Sequence, residues 1–193
     1  MKRAATTETI IYGGAFNPPT LAHVSILRAC FEYAQDSHAD VWVMPSGDRH
    51  DKTIPTPRDR RLEYVNALIE DAMRSPYDVA EVKTTELDRA ISVETADTVR
   101  ELEDAYPDRT FTFVFGADST ETMAEWKDGD ALLENVSMLV VEREGSTVNP
   151  AAKHAVVLNV QTPAVSSTLV RERMARNEPV DGLVSPSVAR LIA

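Results

Sequence analysis

The chain has 193 residues, a formal net charge of −11 and 43% hydrophobic residues. This length suits one domain, and the apolar content is sufficient for a core. The excess of acidic residues argues against long-range attraction to nucleic acid or to an anionic membrane. No apolar run reaches membrane-spanning length, and residues 1–8 lack a signal-peptide pattern, so we expect a short mobile lead-in there. The single cysteine, Cys30, excludes an intrachain disulfide, and all of this fits a cytoplasmic location.

Short β-rich runs alternate with helical patterns along the whole chain. Strands are predicted at 9–12, 41–44, 79–82, 110–115, 138–141 and 155–158. Helices are predicted at about 20–35, 57–74, 93–105, 119–125, 130–134, 167–176 and 186–192. This alternation predicts an α/β fold, a doubly wound parallel sheet with C-terminal helices. In such a fold, ligands bind beyond the carboxyl ends of the strands.

The segment from Gly13 to His23 reads GGAFNPPTLAH and follows the first predicted strand. Two glycines there allow the backbone to approach a bulky anion. Thr20 begins a helix, whose first N–H groups and dipole favour phosphate. Thr20 and His23 are three residues apart, so both can face one side of the first turn. Gly13-Gly14 alone would fit a plain strand, turn and helix with a capping threonine and a surface histidine.

A second candidate anion site lies near the end of the chain, at Ser166-Ser167-Thr168-Leu169-Val170-Arg171. Hydroxyl groups at a helix start, with an arginine one turn later, form an oxyanion clamp. Taken alone, the segment also fits a serine cap with a solvated arginine.

Together the two segments resemble the signatures of the adenylyltransferase and cytidylyltransferase superfamily. These signatures are Gly-Gly-x-Phe-[Asp/Asn]-Pro-x-[His/Thr]-x-x-His and Ile-Ser-Ser-Thr-x-x-Arg, and Val165 stands in the place of the isoleucine. The chain lacks both Gly-x-Gly-x-x-Gly and Gly-x-x-x-x-Gly-Lys-[Ser/Thr], which argues against a dinucleotide dehydrogenase and a P-loop NTPase. The resemblance implies a Rossmann-like nucleotidyltransferase domain over residues 1–193.

A third segment makes the resemblance specific to one family within the superfamily. Gly116-Ala117-Asp118-Ser119, with Trp126 eight residues after the aspartate, is similar to nicotinate mononucleotide adenylyltransferases. In that family the aspartate lies at the nucleotide and the tryptophan stacks on the pyridine ring. Arg143, in Glu142-Arg143-Glu144-Gly145, matches the Arg-x-Gly at the end of a family strand. Taken alone, Asp118 is equally a helix cap and Trp126 a packing residue.

Two further segments match the family less closely. The charged loop 48–52, followed by Arg60, resembles a family loop in which a lysine reaches the triphosphate, and Lys52 is the best match. A solvated charged loop is the alternative. The segment at Thr95 resembles the family's Ser-Tyr-Thr-x-Asp-Thr-Leu beside the nicotinate ring, but Val93 and Glu94 replace the serine and the tyrosine.

The alternative for this segment is a helix start capped by Ser92 or Thr95. A glutamate near the pyridine carboxylate disfavours nicotinate. Glu94 therefore leaves open an amide or another acceptor.

The resemblance implies that an acceptor phosphate attacks the α-phosphorus of ATP and releases pyrophosphate. His23 would donate to the α-phosphate, with Thr20 in a weaker version of that role. Lys52 and Arg171 would join Ser167 and Thr168 on the β- and γ-phosphates. The implied ATP-binding residues are Gly13, Gly14, Ala15, Phe16, Thr20, His23, Gly116, Asp118, Ser166, Ser167, Thr168 and Arg171. The implied acceptor-binding residues are Thr95, Trp126 and Arg143.

No protein metal site is expected, since Mg²⁺ would be carried by the ATP phosphates. Other acceptors remain open: nicotinamide mononucleotide, phosphopantetheine, or a sugar or alcohol phosphate. So does a nucleotide-binding protein of this fold without turnover. Homo-oligomers are common in the family, although the sequence carries no interface signature.

Overall fold

A computed structural model describes residues 7–48, 54–89, 94–142 and 145–192. Six strands form one sheet in the order β3-β2-β1-β4-β5-β6, and every pairing is parallel. The strands are β1 (Thr7–Gly14), β2 (Asp40–Pro45), β3 (Glu81–Val82), β4 (Arg109–Gly116), β5 (Ser137–Val141) and β6 (Ala155–Val157). The predicted parallel sheet is confirmed. Of the mobile lead-in predicted over residues 1–8, residues 1–6 lie outside the described residues, whereas Thr7 and Glu8 are the first two residues of β1.

The helices follow the predicted order with shifted ends. They are α1 (Leu21–Ser37), α2 (Arg58–Ala72), α3 (Thr95–Ala105), α4 (Ala117–Thr122), α5 (Gly129–Asn135), α6 (Ser167–Ala175) and α7 (Pro186–Ile192). The helix predicted at 119–125 begins earlier, at Ala117, and its last turn is a 3₁₀ helix over Met123–Glu125. Within the described residues, no helix is long and apolar enough to cross a membrane.

Apolar side chains on both faces of the sheet build two separate parts of the core. On one face, Ile10 packs in a cluster with Leu27 of α1 and Val65 of α2. On the other face, the next residue, Ile11, packs in a cluster with Leu102 of α3. Successive side chains of a strand point to opposite faces, so a strand that is buried on both faces, as β1 is from Thr9 to Tyr12, requires helices on both sides.

The strand order changes direction between the central strands β1 and β4. From β1 the chain moves outward to β2 and β3, then returns to β4 on the other side of β1. The loops that leave these two strands therefore diverge and open a crevice at their carboxyl ends. Gly13 and Gly14 end β1, and Gly116 ends β4, so the unusual residues of the sequence lie at this crevice.

The last helix is anchored to α2 by one carboxylate. The backbone N–H of Ser187 donates to Asp71 Oδ2 at 2.8 Å, and the Ser187 hydroxyl donates to Asp71 Oδ1 at 2.7 Å. Burial raises the pKa of Asp71, but hydrogen bonds donated to it at the start of α7 and the nearby charge of Arg190 outweigh burial. The pKa of Asp71 therefore lies below its ordinary value of 3.8.

We expect Asp71→Asn to lower the free energy of unfolding by about 1–2 kcal/mol at pH 7. The depressed pKa means that ionised Asp71 stabilises the fold above the pKa it has when unfolded. That contribution is lost as the pH falls below 3.8, through the folded pKa. Thermal melts between pH 6 and pH 3 should therefore fall less steeply for Asp71→Asn than for the wild type. Glu70→Gln, at an exposed neighbouring carboxylate, is the control, and a variant as acid-sensitive as the wild type would contradict this role of Asp71.

Candidate active site

A cavity of about 630 Å³ opens at the carboxyl ends of β1, β2 and β4. It is bounded by the loops after β1 and β2, by the first turn of α4 and by the start of α6. The predicted site residues that line it are Gly13, Gly14, Ala15, His23, Thr95, Gly116, Asp118, Trp126, Ser166, Ser167, Thr168 and Arg171. Phe16 and Thr20 do not line it. Lys52 and Arg143 lie outside the described residues.

His23 is held in the first turn of α1 by Thr20. The backbone N–H of Thr20 donates to His23 Nδ1 at 3.0 Å, and Thr20 Oγ1 lies 2.9 Å from the same nitrogen. Because an amide N–H can only donate, Nδ1 accepts, and the neutral ring carries its proton on Nε2. His23 therefore presents a hydrogen-bond donor at its other ring nitrogen.

Thr20 itself is fully buried, with 0% exposure. The sequence predicted that Thr20 and His23 share one side of the helix, and the structure confirms that pairing. It places only His23 on the cavity surface. The geometry thus makes Thr20 a residue that orients His23, in place of the weak direct donor expected from the sequence.

Phe16 is a core residue behind the loop after β1. Its ring packs edge-on against Tyr12 and His23, with centroid distances of 5.4 Å in both pairs. Its backbone φ of 45° turns the chain sharply, and the next peptide bond but one, Asn17–Pro18, is cis. A Cβ on Gly14 would lie 3.1 Å from the Phe16 ring, so the ring would have to shift by a few tenths of an ångström to admit it. Phe16 shapes the loop and supports the His23 ring.

The two signature segments, far apart in the sequence, are in direct contact. The Ser167 hydroxyl donates to Pro18 O at 2.8 Å, and Arg171 Nη1 donates to Asn17 O at 2.7 Å. Arg171 Nη2 also donates to Thr168 Oγ1 at 3.1 Å. The α6 segment therefore fixes the loop that precedes His23 and lines the cavity beside it.

Ser166 caps α6, as the alternative interpretation of this segment expected. Its side chain accepts a hydrogen bond from the Leu169 N–H at 3.2 Å. The first N–H groups of a helix lack intrahelical partners and favour anions. Together with the Arg171 guanidinium, the first turn of α6 gives this end of the cavity a positive character in a chain that is strongly acidic overall.

Aromatic and acidic side chains also line the cavity. Trp126 is half-buried and packs edge-on against Phe115, with a centroid distance of 6.1 Å. Thr95 is the first residue of α3, and Glu94 occupies the N-cap position. The alternative interpretation of Thr95 as the helix cap is therefore wrong, and Ser92 lies outside the described residues. Glu94 lines the cavity, as does Glu86.

Glu86 had no signal in the sequence. It lies in the irregular segment between β3 and α3, and its Oε1 accepts a hydrogen bond from the Thr98 hydroxyl at 2.8 Å. No periodicity or motif marks such a residue, because its position depends on how α3 packs beside the segment. Ser46 and Gly47, which follow β2, also line the cavity.

Adjacent arginines of α2 have opposite surroundings. Arg60 follows the basic loop in the sequence. It pairs with Glu63 on the protein surface at 2.7 Å. Arg61 is buried, with 3% exposure, and donates to backbone carbonyls on two of the loops that bound the cavity. Among the described residues, no three His, Cys, Asp or Glu side chains lie close enough together to hold a metal ion.

Three features together define a nucleotidyltransferase. They are the doubly wound parallel sheet, the glycine loop that leads to a histidine on α1, and the serine-capped helix α6 with its arginine. The cytidylyltransferase-like family model matches residues 11–173. A relative named a probable nicotinate-nucleotide adenylyltransferase, from Exiguobacterium sibiricum, is 32% identical over 94% of each chain. Another of that name, from Halalkalibacterium halodurans, is 31% identical over 94% of this chain and 86% of its own.

The fold agrees with a solved structure of low sequence identity. The nicotinic acid mononucleotide adenylyltransferase of Plasmodium falciparum, solved in complex with NaAD, superimposes with a TM-score of 0.83 at 20% identity. The match covers 96% of this chain and 94% of that one. The chain belongs to the cytidylyltransferase-like family, and within it to the nicotinate-nucleotide adenylyltransferases.

Proposed function

We propose that this enzyme transfers AMP from ATP to nicotinate mononucleotide and releases pyrophosphate. One observation carries the proposal: both phosphate-type segments line the same cavity as Trp126 and the start of α3. Its volume of about 630 Å³ suits a small-molecule site. The names of the relatives and the NaAD held by the structural neighbour support the same acceptor.

The chemistry requires positioning more than proton transfer. An oxygen of the acceptor phosphate attacks the α-phosphorus of ATP. A new phosphorus–oxygen bond forms, the bond from the α-phosphorus to the bridging oxygen breaks, and pyrophosphate leaves with that oxygen. The nucleophile is already an anion, so no general base is needed. The rate then depends on in-line alignment and on donors at the oxygens where charge develops.

His23 supplies such a donor. The contact with Thr20 places the ring proton on Nε2, and His23 lines the cavity. In the proposed mechanism, this N–H donates to a non-bridging oxygen of the α-phosphate. The neutral tautomer is sufficient, because a preformed N–H needs no reorganisation during the reaction.

The β- and γ-phosphates are assigned to the first turn of α6. The Arg171 guanidinium and the Thr168 hydroxyl are the side-chain donors, assisted by the backbone N–H groups of that turn. The Ser167 hydroxyl donates to Pro18 O, so its contribution is to hold the loop. Lys52 is assigned to the same phosphates from the family resemblance alone.

Mg²⁺ is proposed to enter with ATP. The described residues offer no cluster of three ligands, and Mg²⁺ commonly uses substrate phosphates with few protein ligands. The ion would neutralise charge on the phosphates, beside the donors of α6.

Nicotinamide mononucleotide is the second candidate acceptor. Glu86 and Glu94 both line the cavity, and both lie at α3: Glu94 directly precedes Thr95, and Glu86 accepts a hydrogen bond from Thr98. A carboxylate disfavours a neighbouring carboxylate and can accept a hydrogen bond from an amide. This observation favours the amide acceptor over the acid.

Pyrophosphate release from ATP, measured with a panel of acceptors, tests the proposal. We expect release with nicotinate mononucleotide and a lower kcat/KM with nicotinamide mononucleotide. The reverse ranking would assign the enzyme to the amide. Release only with phosphopantetheine or a sugar phosphate would refute a pyridine acceptor, and no release with any acceptor would favour a binding protein.

We expect Trp126→Ala to raise the acceptor KM about tenfold, because stacking of a base on an aromatic ring contributes about 1–3 kcal/mol. The ATP KM should change little. Trp126→Phe, which keeps an aromatic face, is the matched variant and should stay near the wild type. Steady-state kinetics with each substrate varied in turn measures both constants. An unchanged acceptor KM in Trp126→Ala would make Trp126 a packing residue.

A further inference from the structure

Arg61 lies behind the cavity and contacts two of the loops that form it. Its Nε donates to Ala15 O at 3.0 Å, and its Nη2 donates to Ser46 O. Ala15 belongs to the loop after β1 and Ser46 to the loop after β2, and both residues line the cavity. Arg61 itself is not among the residues that line it.

Other hydrogen bonds among the described residues also join the segments that leave β1 and β2, and in one of them the Thr56 hydroxyl donates to Asn17 Oδ1 at 2.5 Å. The Ser46 N–H donates to Gly14 O at 2.9 Å, which extends the pairing of β1 with β2 by one bond. The Arg61 guanidinium adds a hydrogen bond to each of the two backbones from one planar group. Its planar fork of N–H donors can bond two carbonyl oxygens at once, which a lysine ammonium on a flexible stem does less well.

Burying a guanidinium is costly unless its donors are satisfied. Arg61 is 3% exposed, and burial lowers its pKa, while the charges of Asp48 and Glu86 act in the opposite direction. An arginine remains protonated under these conditions. A buried positive charge thus stands directly behind the glycine loop of an acidic protein. A mere packing role would be filled at lower cost by an apolar side chain.

We propose that Arg61 is a positioning residue for nucleotidyl transfer: it braces Ala15 O and Ser46 O and so holds the ATP-binding loop in its working shape. The inference rests on the proposed function, since it assigns the loop after β1 to ATP. Arg61 acts through the two loops and touches neither substrate. Nothing in the two signature segments marks it, because it lies on a third element, α2.

The test compares Arg61→Lys and Arg61→Gln with Arg60→Gln. Arg60 is adjacent in the sequence and pairs only at the surface with Glu63, so it is a matched control. We expect Arg61→Lys to keep the fold by circular dichroism and to lower kcat/KM for ATP at least tenfold. The acceptor KM should stay within twofold, because a lysine keeps the positive charge near Glu86 and because the two loops to which Arg61 donates do not carry Trp126 or Thr95. A general loosening of the protein would change both constants.

Arg61→Gln lacks both the planar fork and the charge, whereas Arg61→Lys lacks only the fork, so the two variants together show which property matters. A glutamine is neutral and can bond one of the two carbonyls, so we expect an equal or larger loss, with weaker binding of a non-hydrolysable ATP analogue. Arg60→Gln should stay within twofold of the wild type throughout. A folded Arg61→Lys with a kcat/KM within twofold of the wild type would overturn the proposal. So would failure of both Arg61 variants to fold, since Arg61 would then serve the fold.

The wild type in the same assays distinguishes failure of the proposed function from failure of the role proposed for Arg61. If the wild type and Arg60→Gln show no transfer, the proposed function fails, whatever the Arg61 variants do. If both are active and the Arg61 variants match them, only the role of Arg61 fails.

Discussion

His23→Ala should lower kcat by about a hundredfold or more, because loss of one preorganised donor at a developing charge typically costs this much. The KM for ATP should change less, since the α6 segment is intact. The expected reason is specific: the ring N–H on Nε2 exists because Nδ1 accepts from the Thr20 backbone. Single-turnover measurements at saturating substrate isolate the transfer step.

Two variants sharpen the result for His23. His154→Ala, at an exposed histidine remote from the cavity, should leave kcat unchanged. Thr20→Val removes the hydroxyl near Nδ1 but keeps the backbone donor, so we expect a loss of less than tenfold. A loss as large as that of His23→Ala would instead give Thr20 a direct role. Normal turnover in His23→Ala would remove His23 from the mechanism.

Arg171→Ala should lower kcat/KM for ATP by about two to three orders of magnitude. Truncating one partner of a hydrogen-bonded charge contact typically costs about 2–5 kcal/mol. Here the same guanidinium also holds Asn17 O at 2.7 Å, so its loss loosens the loop that leads to His23. The KM for ATP should rise and kcat should fall as well. Initial-rate kinetics with varied ATP measures both changes.

Arg171→Lys separates charge from geometry. A lysine retains the charge but cannot bond Asn17 O and Thr168 Oγ1 with one planar group, so an intermediate loss is expected. Arg176→Ala, at the end of the same helix and paired at the surface with Glu178, is the control. If Arg171→Ala and Arg176→Ala behave alike, the assignment of the α6 clamp is wrong.

The fold was predictable because its signals are local. Apolar runs ending in glycine or proline marked β1, β2 and β4, and helical spacing marked α1 and α2. The weakest prediction, the strand at 79–82, is the two-residue edge strand β3. The break of the helix near residue 120 into α4 and a 3₁₀ turn was not predicted, because no proline or glycine marks it.

The site was predictable where its residues belong to short motifs. Helical spacing placed Thr20 and His23 together, but spacing alone does not say which of them faces the core. Burial of Thr20 behind His23 is a tertiary result. The sequence likewise does not predict the contact of Arg171 with Asn17, because these residues are 154 positions apart.

Arg61 is the clearest example of a site residue that the sequence alone did not predict. The sequence pattern indicated Arg60 as part of the basic loop, because Arg60 lies three residues after Pro57. Which of two adjacent arginines points inward depends on the rotation of α2 against the sheet. The helix packs Val65 and Leu68 into the core, and this rotation brings Arg61 to the loops and leaves Arg60 in solvent.

The fate of the α-phosphorus tests the central claim most directly. With [α-³²P]ATP, Mg²⁺ and nicotinate mononucleotide, we expect the label in the dinucleotide and an equal amount of unlabelled pyrophosphate, with no release when the acceptor is omitted. Label appearing as AMP at a rate independent of the acceptor would show hydrolysis and contradict transfer. ATP left intact with every pyridine mononucleotide would contradict the proposed reaction altogether.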